Sequence, residues 1–146
     1  MYQRIQRFGV YGLIQHEGKV LLVKKTIEPY KNKWDLPGGI VQFGESPETT
    51  LTREVLEETG MSLARSTYLK SDAHVMNYTE ASGQKITLHH VGWIFKLEIL
   101  PPYILAPKSD DEELEQVVWC DLFDLELDTM TPFVQELYFE QLNVKK

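Results

Sequence analysis

The amino-acid sequence predicts an α/β domain in which helices pack against a mixed, largely antiparallel sheet. Three observations carry that prediction. Short apolar runs alternate with polar residues near the start, residues 62–100 are rich in β-forming side chains, and two segments carry helix-start residues followed by helical apolar spacing. With 146 residues, 42% of them apolar, the chain is long enough for one domain with a proper core and too short for two, so a single domain over residues 1–146 is expected.

The elements follow in order. From Phe8 to Lys25 the pattern reads as a hairpin: Val10, Gly12 and Ile14 alternate with Tyr11 and Leu13, His16-Glu17-Gly18-Lys19 turns, and Val20-Leu21-Leu22-Val23 returns. Lys24 and Lys25 close it, either as solvated charge guarding a strand end or as contacts to a substrate phosphate. Trp34 and Leu36 then alternate in a strand that stops at Pro37, after which Gly38 and Gly39 let the backbone approach a ligand closely.

Ser46 as N-cap, Pro47 at the first position and Gly60 at the end predict a helix over Pro47 to Thr59. At about 100° per residue Leu51, Val55 and Leu56 lie toward one side, and Glu54, Glu57 and Glu58 fall on the other. Two long strands follow, about Tyr68 to Tyr78 and Ile86 to Leu100, joined through Ser82-Gly83. An acidic stretch, Asp110-Asp111-Glu112-Glu113, precedes a short strand from Val117 to Cys120. Last comes a helix with Thr131 as N-cap and Pro132 at its first position, burying Phe133, Val134, Leu137, Tyr138 and Leu142.

Bulk properties narrow the function. A net charge of −7 argues against polymeric nucleic acid, whose binding rests on phosphate neutralisation by Lys and Arg, yet a small phosphorylated ligand is compatible if bound metal supplies the positive charge. No stretch approaches the roughly 20 apolar residues of a membrane helix, and Met1-Tyr2-Gln3-Arg4 lacks the apolar core of a signal peptide. The single cysteine, Cys120, cannot form an internal disulfide, which fits a reducing compartment, and cytoplasm is the expected location. Cys120 itself reads as a small apolar residue of a strand.

The chemistry concentrates between Gly39 and Met61. Glu54, Glu57 and Glu58 are spaced so that they repel one another on one short helix, which calls for a cation. Oxygen-only ligands suit a hard ion, Mg²⁺ or Mn²⁺, better than zinc. A carbonyl from Gly38 or Gly39 could add a donor, Arg53 can hold a carboxylate by a bidentate contact, and a glutamate not consumed by metal can take a proton from water. Such an assembly fits phosphoryl chemistry.

The run Gly39-x5-Glu45-x7-Arg53-Glu54-Val55-x-Glu57-Glu58-x-Gly60-Met61 resembles the signature box of the Nudix hydrolases at all nine defined positions, with Trp34-x-Leu36-Pro37-Gly38-Gly39 similar to the usual lead-in and Glu115-x-x-x-Trp119-x-Asp121-Leu122 to the usual late strand. The resemblance implies an α/β/α sandwich around a mixed sheet and hydrolysis of a nucleoside diphosphate linked to another moiety. It implies Mg²⁺ or Mn²⁺ held by Glu54, Glu57 and Glu58 with the Gly38 carbonyl, Glu54 as general base, Arg53 orienting carboxylates, and Glu45 as an auxiliary metal or Arg53 contact. Family members differ over the base, which leaves Asp110 to Glu113 and Glu115 as alternatives, beside the reading of that run as a solvated loop.

The other class of function compatible with the fold is a nucleotide-binding or sensor module without turnover; three mutually repelling glutamates speak against it. Tyr78 falls near a subfamily marker for dinucleoside polyphosphates and is a candidate substrate contact, whereas the proline associated with ADP-ribose hydrolysis is absent from Val75-Met76-Asn77. His89-His90 reads as two ordinary sheet positions pointing to opposite faces, and Trp93 as sheet packing, with Tyr103 a further aromatic able to stack on a base. A homodimer is possible, and nothing in the sequence decides it.

Overall fold

The structure, a computed structural model, describes residues 1–107 and 114–145. Seven strands and two α-helices succeed one another as β1 (Gln3–His16), β2 (Lys19–Lys25), β3 (Trp34–Asp35), β4 (Gly38–Ile40), α1 (Pro47–Thr59), β5 (Leu63–Thr79), β6 (Lys85–Ile99), β7 (Leu114–Cys120) and α2 (Pro132–Lys145). The strand order is β3-β2-β1-β6-β5, with β4 added on β1 and β7 on β2. Among the described residues β1 and β6 pair parallel and the other strand pairs are antiparallel, so the expected mixed, largely antiparallel sheet is what forms.

The period-2 alternation of the first hairpin explains the layering. Val10, Ile14 and Leu21 point to one face and join Leu51 and Val55 of α1 in one apolar cluster. Their neighbours Tyr11, Leu13, Val20 and Leu22 point to the other and join Phe133, Val134 and Leu137 of α2. A strand that is apolar on both faces must be covered on both, and the helices cover one face each. The sandwich is therefore written into residues 10–22.

Several boundaries differ from the sequence reading. β1 begins at Gln3 and β5 at Leu63, five residues earlier than expected in each case. Most of these added residues are exposed, so they carry no apolar alternation; residues 3–7 are held by parallel pairing with Ile86 to His90. The strand at Trp34 ends at Asp35, and Gly38 and Gly39 are themselves paired, in β4, opposite Tyr11 and Val10.

Helix α1 has its expected ends: the Ser46 hydroxyl accepts from the Thr49 amide at 3.2 Å, and Gly60, at φ 77°, donates back to Leu56. Helix α2 departs from expectation at its start. The Thr131 carbonyl accepts from Gln135, but the Thr131 hydroxyl donates at 2.9 Å to the buried Asp35 carboxylate instead of capping the helix. Phe133, Val134 and Leu137 are buried as expected, while Tyr138 and Leu142 are half-buried.

Candidate active site

Three elements build the site: the inward end of α1, the β4 glycines and the middle of β1. On a 100° wheel Glu58 lies only about 20° from Leu51. It is accordingly on the buried face of α1, 2% exposed, and not opposite the core residues as its grouping with Glu54 and Glu57 suggested; Leu56 turns the other way and is half-buried. Glu58 Oε1 accepts the Gly38 amide at 2.8 Å. Burial pushes this carboxyl well up, the Glu54 charge adds to the rise, and the Lys25 ammonium opposes it.

The glycines are required by close approach. Gly38 sits at φ 143°, and a Cβ there would fall 2.0 Å from the Val10 carbonyl oxygen. A Cβ on Gly39 would lie 2.8 Å from Cδ of Glu54, in the space that carboxylate occupies.

Arg53 orders the acids of the helix. Its Nε and Nη2 donate to the two oxygens of Glu45 at 2.9 Å each, its Nη1 donates to Glu54 at 2.7 Å, and Glu57 stands 3.6 Å away. The bidentate contact anticipated for Arg53 is thus made with Glu45, which the guanidinium holds down to about 2. Burial raises the Glu54 carboxyl, and Arg53 works against that rise.

These carboxylates line a cavity of about 490 Å³ together with Arg7, Lys25, Tyr30 and His90, and Tyr11 and Asp35 line it too. His90 is 3% exposed and lies between two phenols, Nε2 2.7 Å from Tyr11 Oη and Nδ1 2.5 Å from Tyr30 Oη. Burial, reinforced by the Arg7 charge, pushes the imidazole down to about 4. Burial also raises both phenols, so they remain protonated.

Of the residues singled out from sequence, the cavity gathers Lys25, Gly38, Gly39, Arg53, Glu54, Glu57 and Glu58, with Glu45 behind Arg53. Lys24 and Tyr78 are not among the lining residues; the Lys24 ammonium stands over the Trp34 ring, 5.7 Å from its centroid. Asp110 to Glu113 lie outside the described residues, and Glu115 falls in β7. Tyr103 stacks on His16 at 4.0 Å, Trp93 packs against the α1-side cluster, and the Cys120 thiol, raised to about 11 by burial, is no nucleophile.

Sequence reasoning missed Arg7, Tyr30 and Asp35, and favoured an ordinary sheet position for His90. Each looks unremarkable in its own strand or loop, and only the β1–β6 register brings Arg7 opposite His90. The donor set on α1 is all oxygen and partly buried, with Gly39 leaving room for Glu54; that chemistry suits a hard divalent cation.

Known proteins resemble this chain in sequence and in fold. The family model described as NUDIX domain matches residues 3–141. An ADP-ribose pyrophosphatase of Methanocaldococcus jannaschii is 44% identical over 53 residues, 36% of this chain and 31% of that protein, so the match spans about a third of that relative's length. Nucleoside triphosphatase NudI of Escherichia coli is 34% identical over 94 residues, 62% of this chain and 67% of NudI. Among solved structures, a MutT NUDIX hydrolase from Burkholderia pseudomallei superposes with a TM-score of 0.67 at 27% identity, covering 90% of this chain and 94% of that one.

Proposed function

Since this chain belongs to the NUDIX-domain family, we propose that it is a divalent-metal-dependent pyrophosphohydrolase that cleaves a nucleoside diphosphate linked to another moiety. The observation that carries the proposal is the mixture of charge lining one cavity: Glu54, Glu57 and Glu58 of α1 together with Arg7 and Lys25 of β1 and β2. Acids and bases so placed suit a substrate that is itself anionic and that arrives with cations.

Glu54, Glu57 and Glu58, with the Gly38 carbonyl, would hold Mg²⁺ or Mn²⁺. When bound, such an ion neutralises diphosphate charge and makes an attacking water more acidic. The protein's own groups do the rest. Arg53, tied to Glu45, keeps Glu54 in a fixed orientation, and the oxygen of Glu54 not facing Arg53 is the base for the water proton. Arg7 and Lys25 offer the diphosphate a cationic wall, and the Tyr30–His90–Tyr11 chain presents neutral hydrogen-bonding groups to the substrate's remaining part.

The test is a panel of nucleotide-type diphosphates, assayed with Mg²⁺ and with Mn²⁺ and with products identified. Turnover should fall at least about 100-fold in Glu57→Gln and Glu58→Gln. Wild-type activity in both variants would remove the metal site, and tight ligand binding without turnover across the panel would replace the hydrolase by a sensor module.

A further inference from the structure

Away from the carboxylates of α1, strand β5 and helix α2 bring together Asp72, His74 and Glu136, one ligand atom from each lying within 4.8 Å of the other two. We propose that these three residues form a second metal site, one that takes a Zn²⁺-class ion and clamps α2 to the edge of the sheet.

The local sequence dictates the placement. Asp72 and His74 are two apart in a strand, so both point to the face that α2 covers, and Glu136 lies on the first turns of α2. His74 is half-buried with its ring set edge-on against Phe133, 5.0 Å between centroids, which fixes its direction. Its Nε2 is shielded from solvent and has no hydrogen-bond partner among the described residues. Such an atom next to two carboxylates lacks the group it was turned toward.

The spacing identifies that group. Nε2 is 3.6 Å from Glu136 Oε1, too long for a hydrogen bond. Two donors bound tetrahedrally at about 2.0–2.1 Å from one zinc ion stand roughly 3.3 Å apart, so a small movement of the Glu136 carboxylate seats both. Asp72 already accepts the Ala73 amide at 2.9 Å, which orients it.

Charge agrees. Asp72 and Glu136 set two carboxylates beside His74 Nε2, each within 4.8 Å of the other two ligand atoms, and a divalent ion offsets the repulsion between them. The Lys70 ammonium, 3.3 Å from Glu136, is also 2.6 Å from Glu140 and keeps that partner when Glu136 turns to the metal. One imidazole with two carboxylates is a borderline donor set, unlike the all-oxygen set of α1, and selects Zn²⁺ over Mg²⁺.

The test uses the full chain freed of metal and titrated with Zn²⁺, with bound zinc counted and thermal unfolding followed in wild type, His74→Gln, Asp72→Asn and Glu57→Gln. The wild type and Glu57→Gln should each show an equivalent of zinc that is missing from His74→Gln and Asp72→Asn, and zinc should raise Tm by about 5 °C or more only where that equivalent binds. Far-ultraviolet dichroism checks that the variants fold, and Asp72→Asn keeps the test open should His74→Gln fail to. Equal zinc stoichiometry and equal Tm shifts in wild type and both site variants would overturn the proposal, as would loss of the equivalent in Glu57→Gln alone. Because the readouts are zinc content and stability, the result is independent of whether any diphosphate is hydrolysed.

Discussion

Glu58 Oε1 accepts the amide proton of Gly38 at 2.8 Å, and this one bond ties the helix that carries the acids to the strand that carries the glycines. It explains why a carboxylate sits on the buried face of α1 beside Leu51 of the core. A charged group so placed is costly without partners, and here the backbone amide and the nearby Lys25 ammonium are the partners the fold supplies.

The two glycines should separate stability from activity. In Gly38→Ala the new Cβ meets backbone, 2.0 Å from the Val10 oxygen, at a φ of 143° that L side chains avoid. The strand has to move, and a loss of about 2–4 kcal/mol in denaturant unfolding is expected. In Gly39→Ala the Cβ meets the end of the Glu54 side chain at 2.8 Å, which can swing away. Stability should change by less than about 1 kcal/mol while kcat falls at least about 10-fold. The reverse pattern would show that Glu54 placement does not depend on Gly39.

Arg53→Lys isolates geometry from charge. Lysine keeps the positive charge but cannot contact both oxygens of Glu45 while also reaching Glu54. A fall of roughly 10- to 100-fold in kcat with KM little changed is expected, because Glu54 loses its fixed orientation. Unchanged kcat would mean that charge alone suffices.

The layered fold and the place of Glu54 and Glu57 at the candidate site were legible because each rests on local pattern. Residues 10–22 alternate on both faces, Ser46, Pro47 and Gly60 bound a helix, and the Gly39-to-Met61 spacing is contiguous. The rest of the cavity lining was not. His90 and Tyr30 are 60 residues apart, and their hydrogen bond exists only through the parallel β1–β6 register and the loop after β2. Glu58 was assigned to the wrong face because it was grouped by charge; its angle from Leu51 alone would have placed it correctly. Thr131 likewise had the residue type of a cap, and a buried Asp35 nearly a hundred residues away took its hydroxyl.

That hydroxyl gives a stability prediction. Asp35 is 1% exposed, and its Oδ1 accepts from both the Leu36 amide and Thr131 Oγ1 at 2.9 Å. Thr131→Val preserves shape and removes one donor from a buried carboxyl, so unfolding free energy should drop by roughly 1–3 kcal/mol. Thr131→Ser should recover most of it. If valine and serine were equally stable, the Asp35 contact would contribute nothing.

Glu45 predicts an acid-side effect. Its folded value, about 2, lies below the ordinary 4.5, so its pairing with Arg53 adds stability that is fully present above about 4.5 and is lost as pH falls toward 2. Glu45→Gln lacks this contribution. The Tm gap between wild type and Glu45→Gln should therefore be open at pH 7 and narrow steadily below pH 4.5. A gap that stays constant down to pH 3 would assign the difference to packing instead.

His90 acts on a different window. Its folded value is depressed from 6.5 to about 4, so below pH 6.5 the unfolded chain binds a proton that the folded chain refuses. Stability from this residue is complete above pH 6.5 and is lost as pH falls to 4, by up to roughly 3 kcal/mol. The sign follows from burial, which disfavours the charged imidazolium, and the Arg7 charge adds to it; the neutral ring keeps a hydrogen bond to each of the Tyr11 and Tyr30 hydroxyls. Nitrogen-detected NMR of the four histidines should show the His90 ring still neutral at pH 5, and Tyr30→Phe should perturb that ring first. A His90 ring that titrates near 6.5 would mean that it carries positive charge into the cavity at mildly acidic pH, and the neutral role assigned to it against the substrate would have to be withdrawn.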